Sequence, residues 1–170
     1  MNHAAYEKEI DGFEAHYQYD GTYMREMLEH TPEAYALFVH VLPLAKYRQR
    51  LEPGEYWVAK LAAMQVEDCA DCLQLNVRMA QEAGISRHIV EATLKGGAEL
   101  PVNLQQVYVY AKQVASHAQP DAKLMARIEA QYSKGAILEF GLCIATAKIF
   151  PTIKRAMGYT KNCNLIEIQV

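Results

Sequence analysis

The chain is short of cysteine, of net charge and of long uninterrupted apolar runs, and each shortage removes a class of protein. Four cysteines in 170 residues are too few for a disulfide-built scaffold, so a hydrophobic core must hold the fold. A net charge of −3 and a pI near 6.1 supply no basic field for nucleic acid or anionic lipid. The six histidines are scattered and form no tract, and neither a low-complexity linker nor a fixed-period repeat occurs. Residues 1–30 carry Glu7, Glu9, Asp11, Glu14, Asp20, Glu26 and Glu29 without a continuous apolar run, which is not the pattern of a secretory leader. The most apolar stretch, Ala34 to Ala45, is interrupted by His40 and Pro43 and cannot span a bilayer. The expected setting is a reducing cytoplasm, with no nucleic-acid partner and no membrane. There, a closely spaced cysteine pair points to catalysis or metal binding rather than to a structural cross-link.

What is present reads as helix. The composition, 51% hydrophobic and 22% charged, is ordinary for a globular chain, and the length fits one domain. Strand-type alternation occurs only at Val107–Tyr110 and Leu165–Val170, and the first also fits a helix. Leu100, Leu104, Val107, Ala111 and Val114 recur at spacings of four and three and line one helical face. Thr31-Pro32 and Gln119-Pro120 place proline at a first turn, Ser86 is a good N-cap, and Gly84, Gly96-Gly97, Gly135 and Gly158 fall where helices would stop. Helices are predicted near 4–18, 20–30, 32–50, 53–67, 69–83, 87–95, 101–117, 120–134 and 136–157. Pro43 should kink or break the third of these and Pro151 the last. Ile137 to Phe150 is apolar on nearly every face, with Glu139 and Lys148 its only charges, so it belongs in a core or a subunit interface. The predicted fold class is a single all-α domain over residues 1–170.

Within that pattern Cys69-Ala70-Asp71-Cys72 sets two thiols one helical turn apart. Three chemistries fit: a redox-active dithiol, half of a zinc site, or two small apolar residues packed on a helix face. A zinc site needs two further ligands, and no second Cys-x-x-Cys or His-x-x-x-His exists. A thioredoxin-type motif follows a buried strand, and Met64–Asp68 does not read as one. A helix starting near Cys69 would favour a thiolate through its unpaired N–H groups, whereas Glu67, Asp68 and Asp71 oppose a further negative charge. The expectation is a modestly activated thiol.

These cysteines, followed by Gln74-Leu75 and Ala80-Gln81-Glu82-Ala83-Gly84-Ile85-Ser86, resemble the alkylhydroperoxidase D-like, or carboxymuconolactone decarboxylase, superfamily. Leu51-Glu52-Pro53-Gly54-Glu55 and Val58-Ala59-Lys60-Leu61-Ala62-Ala63 resemble the helix preceding its cysteines. Val107–Ala111 and Ile137–Arg155 match its later helices in character. The resemblance covers roughly residues 50–157, leaving the first fifty as an added N-terminal segment and 158–170 as a tail. It implies an all-α, homo-oligomeric protein, trimeric or hexameric. It also implies thiol-dependent reduction of a peroxide or disulfide through a Cys69–Cys72 disulfide, with an external thiol donor, a small-molecule substrate and no cofactor or metal. In the redox members the second cysteine, here Cys72, attacks, and the first, here Cys69, resolves. Helix-terminus reasoning alone favours Cys69 as the more acidic thiol, so the order stays open.

The chain departs from the pattern at two positions. Redox members carry a histidine where this chain has Asn76, and a glutamate on the preceding helix where this chain has Trp57. An amide cannot accept a proton near neutral pH, and losing a general base costs a factor of about 10² to 10⁴ in rate. Glu55 and Glu67 are near in sequence, and Glu67 is retained as a supporting residue. The alternative is a redox-degenerate small-molecule-binding or carboxymuconolactone decarboxylase-like protein without dithiol catalysis. Tyr56 and Trp57 read as pocket lining or core, Gln74 as lying off the thiol side and His88 as surface. Cys143 reads as a buried inert thiol, and Cys163 carries no role. The eleven tyrosines, several of them within Tyr6–Tyr56, read first as packing and second as pocket lining.

Overall fold

Helix signals decide the architecture, and they act where capping chemistry is strongest. The computed structural model describes residues 3–160 and 168–170, and all regular structure among them is helical. The elements are α1 (His3–Tyr17), α2 (Thr22–His30), α3 (Pro32–Phe38), α4 (Val41–Ala45), α5 (Pro53–Glu67), α6 (Ala70–Glu82), α7 (Arg87–Leu94), α8 (Val102–Ala115), α9 (Ala122–Gln131) and α10 (Lys134–Ala156). Pro32 and Pro53 open α3 and α5, and Glu52 with Glu55 forms a capping box on α5. The Ser86 hydroxyl accepts from the Ile89 amide at the start of α7. Val107–Tyr110 lies inside α8. Of the alternating tail, residues 165–167 lie outside the described residues and 168–170 have no regular structure.

Three boundaries differ from the sequence reading. The predicted third helix is two, α3 and α4, and residues 46–50 are not helical. Pro120 lies ahead of the first turn of α9, because Asp121 is the N-cap and accepts from the Leu124 amide at 2.9 Å. Gly135 does not stop a helix. It sits in the first turn of α10, where a Cβ would lie 2.7 Å from Arg50 Nε. Pro151 does not end α10, which runs on to Ala156 with the proline buried inside it; the missing N–H removes one backbone hydrogen bond.

α5 is the centre of the core. Val58, Ala59, Leu61, Ala62, Ala63 and Met64 are all buried, and the alanines let neighbouring helices approach closely. α8 packs there through Val107, Ala111 and Ala115, and α10 through Phe140, Cys143, Ile144 and Ala147. The opposite side of α10 faces outward, with Leu138 69% exposed. By length and composition α10 is the one helix among the described residues that could cross a bilayer.

A second apolar cluster belongs to the N-terminal helices. Ile10, Tyr19, Tyr23, Met24, Leu28, Tyr35 and Phe38 pack together and against Leu75 of α6 and Phe150 and Ile153 of α10. Phe38 meets Phe150 edge-on at 5.7 Å between centroids, the favoured geometry for aromatic quadrupoles.

Glu139 ties the irregular chain ahead of α5 to α10. Its carboxylate accepts from the backbone N–H groups of Gln49, Arg50 and Leu51 at 3.0, 2.9 and 3.2 Å, and from Arg50 Nη1 at 3.0 Å. Burial alone would raise its pKa, but these hydrogen bonds outweigh burial and hold the carboxyl below the usual glutamate value. A folded-state value below the unfolded one contributes stability at neutral pH and loses it as pH falls through the folded value. Glu139→Gln should therefore lower stability by roughly 2–3 kcal/mol at pH 7. In paired thermal or urea unfolding measurements the gap should hold down to about pH 5 and close below about pH 4.3, the ordinary glutamate value.

Candidate functional site

The turn between α5 and α6 places the cysteines. Asp68 caps the end of α5 in the left-handed region, at φ 48° and ψ 43°, a conformation that aspartate tolerates better than bulkier residues. Cys69 follows as the extended N-cap of α6, at φ −113° and ψ 97°. Cys72 then falls in the first turn, with Cα atoms 5.3 Å apart, and the two sulfurs are joined in a disulfide. Cys69 is fully buried and Cys72 is 2% exposed.

The two apolar clusters do not close completely on each other. Between them lies a cavity of about 600 Å³, within the range of small-molecule sites. Its wall includes Cys72 and Asn76 from α6, Trp57, Lys60 and Met64 from α5, and Tyr19 and Tyr23 from the N-terminal segment. Cys69 is not on the wall, so Cys72 is the member of the pair that faces the cavity.

The Tyr19 hydroxyl lies 4.0 Å from the Cys72 sulfur. Burial raises the pKa of Tyr19 far above the ordinary tyrosine value, with Tyr23 and Asp71 adding to the rise. Burial likewise raises that of Tyr23. Both phenols therefore remain protonated at neutral pH. Lys154, buried in α10, places Nζ 4.8 Å from the Tyr19 ring centroid and 3.6 Å from the Asp71 carboxylate. Glu67 is paired with Lys148 Nζ at 3.3 Å and Arg155 Nη2 at 3.5 Å. Glu67 and Asp71, both expected to oppose a thiolate, thus have a cation beside them, which shifts the local balance toward the anion.

The other expected residues divide between cavity and scaffold. Trp57 is on the wall, edge-on to the Tyr56 ring. Asn76 is also on the wall, but its amide donates to the Cys72 carbonyl at 2.8 Å, so its N–H is used within its own helix. Glu67 is not on the wall and serves the α5–α10 contact. Glu55 is engaged by the Tyr132 hydroxyl and the Glu52 amide. Gln74 exchanges two hydrogen bonds with the Gln169 backbone, and His88 is exposed. Burial pushes the Cys143 thiol up to about 11, and Cys163 lies outside the described residues. Among the described residues no group of three His, Cys, Asp or Glu is disposed to hold a metal ion.

Tyr19 and Lys60 are among the cavity residues that the sequence did not single out. Tyr19 is 53 positions from Cys72, and no spacing links them. Lys60 reads as one more residue of an alanine-rich helix. In the fold its Nζ is buried and donates to the carbonyls of Ala45 and Cys143 and to Thr146 Oγ1, each at 3.2 Å. Burial lowers its pKa.

The sequence profile of the carboxymuconolactone decarboxylase family matches residues 32–101. Across α3 to α7 the chain is similar to that family. The match begins earlier than residue 50, taking in α3 and α4, and stops before α8. The family segment holds the dithiol, Trp57, Lys60 and Asn76, while Tyr19, Tyr23 and Lys154 come from outside it. No curated protein and no solved structure matches the chain.

The cavity geometry predicts an order of thiol reactivity. After reduction of the folded protein, iodoacetamide should label Cys72 well ahead of Cys69, with Cys143 the slowest of the three. Peptide mass spectrometry over a labelling time course reads this directly, and equal rates for Cys69 and Cys72 would contradict the cavity assignment.

Proposed function

We propose that this protein is a thiol-dependent reductase of a peroxide or disulfide, working through Cys72 and Cys69. The observation that carries the proposal is the Cys72 sulfur on the cavity wall, already bridged to a Cys69 sealed behind it. With a peroxide, the Cys72 sulfur attacks the terminal oxygen and the O–O bond breaks. The thiol proton ends on the departing alkoxide, giving an alcohol and a Cys72 sulfenic acid. The Cys69 thiol then attacks that sulfur, water leaves, and the disulfide forms. Two electrons from an external thiol donor restore the dithiol.

Tyr19 supports this cycle as a donor and not as a base. A phenol that burial keeps protonated can donate a hydrogen bond to a Cys72 thiolate and to the departing alkoxide. It cannot take the proton from the thiol. Asn76 cannot do so either. Turnover should accordingly fall below that of an enzyme with a histidine relay, by a factor on the order of 10² or more.

Self-association belongs to the same proposal, since Leu138 on α10 and Val102 and Val109 on α8 present apolar side chains outward. So does a reducing cytoplasmic setting, which supplies the external thiols. A second reading has a specific observation behind it: the cavity is far larger than a peroxide group needs. In that reading the protein is a small-molecule binder and the disulfide is structural.

Peroxide consumption with dithiothreitol as donor separates the two. Wild type should turn over, Cys72→Ser should not, and Cys69→Ser should accumulate a sulfenic acid that dimedone traps. Tyr19→Phe should retain the fold and lose about tenfold in rate, the worth of one hydrogen bond to a charged sulfur. Wild-type consumption no faster than that of the Cys69→Ser/Cys72→Ser double variant would remove the redox reading and leave the binder.

A further inference from the structure

The charges around the cavity are not evenly matched. Lys60 is 4% exposed, and the three groups that receive its Nζ hydrogen bonds are all neutral oxygens. Its Nζ lies 5.3 Å from the centroid of the Tyr56 ring, and the Tyr56 hydroxyl donates to the same Ala45 carbonyl. Arg48, close enough to Tyr56 to act on its hydroxyl electrostatically, donates to the Leu51 carbonyl. Among the described residues no carboxylate lies within 4.0 Å of Lys60 Nζ or of the Arg48 guanidinium. Both cations border the cavity. Glu82, also on the wall, is engaged by Tyr17 and His16 and feels Lys46; Glu9 is the other acidic wall residue. A buried cation without a counter-charge is costly, and an anion brought beside it removes that cost.

The remainder of the cavity is apolar and has a direction. Tyr56, Trp57, Lys60 and Met64 fall three and four positions apart and so share one face of α5. That face leads from the cationic end to the turn that carries the dithiol. From Lys60 to the end of α5 is roughly 10 Å at the helical rise. Met64, Leu75 and Phe150 line the cavity with hydrocarbon and ring surface.

We infer that the cavity binds an apolar monocarboxylate, its carboxylate beside Lys60 and Arg48 and its hydrocarbon body lying along α5 toward Cys72. This inference rests on the cavity being the ligand site, as in both readings above, and not on the sulfur chemistry.

Trp57 is the only tryptophan of the chain and lies on the cavity wall, so its fluorescence is the natural readout, with titration calorimetry alongside. Decanoate should bind saturably, and decan-1-ol, with the same body and no charge, should bind about tenfold or more weakly. Lys60→Met keeps the side-chain length and removes the charge. It should weaken decanoate about tenfold and leave decan-1-ol unchanged, erasing the preference. Arg48→Gln, at an exposed position, should reduce the same preference to a smaller extent and serves if Lys60→Met fails to fold. Decanoate binding is measured on the wild-type protein with neither peroxide nor thiol donor present, so that loss of peroxide turnover and loss of binding are read separately. Equal affinity for decanoate and decan-1-ol, a preference that survives both charge variants, or neither fluorescence change nor heat with decanoate would each overturn the inference.

Discussion

Burial of α5 on almost every side is the constraint on which the other features depend. A helix so enclosed must be lined with small and apolar side chains, and Ala59, Ala62 and Ala63 meet that demand against α8 and α10. Once α5 is held, its C-terminal turn is held too. The left-handed Asp68 leaves only Cys69 before α6 begins, so the dithiol is positioned by the rigid end of the core rather than by a mobile loop. The strip of α5 that is not covered by α8 and α10 becomes a wall of the cavity.

Polar groups in this fold are placed where they release one another from water. Glu139 gathers three backbone donors and an arginine into one carboxylate and thereby fixes the chain that enters α5. Glu67 and Asp71 each sit beside a lysine or arginine of α10, so the surroundings of the cysteines are less anionic than their sequence neighbours imply. Lys60 is the contrasting case: it is satisfied in hydrogen bonds, and among the described residues no carboxylate lies within 4.0 Å of its Nζ.

Much of the helical frame was legible because capping and periodicity are local. Ser86, Pro32 and Pro53 stand next to the ends they mark. Gly135 was misread because its role is steric and distant: it clears room for Arg50, which lies 85 positions away in the chain. Pro151 does not break α10, because a buried helix tolerates one missing hydrogen bond when its flanks are packed. The cysteine pair, Trp57 and Asn76 were legible as a motif with altered neighbours. Tyr19 was not, since its approach to Cys72 depends on how α1 and α2 fold back over α6 and α10.

The sequence by itself determined the all-α class, the helix starts and the dithiol spacing, because each depends on residues a few positions apart. Tertiary structure alone decided that Cys72 faces a cavity and Cys69 does not, that a tyrosine hydroxyl stands 4.0 Å from the sulfur, and that a lysine is buried with no carboxylate of the described residues beside it. Those facts arise from contacts between segments more than fifty residues apart, such as Tyr19 with Cys72 and Lys60 with Cys143. Solvent exclusion, which sets burial and charge balance, is a property of the packed whole and is written in no single stretch of chain.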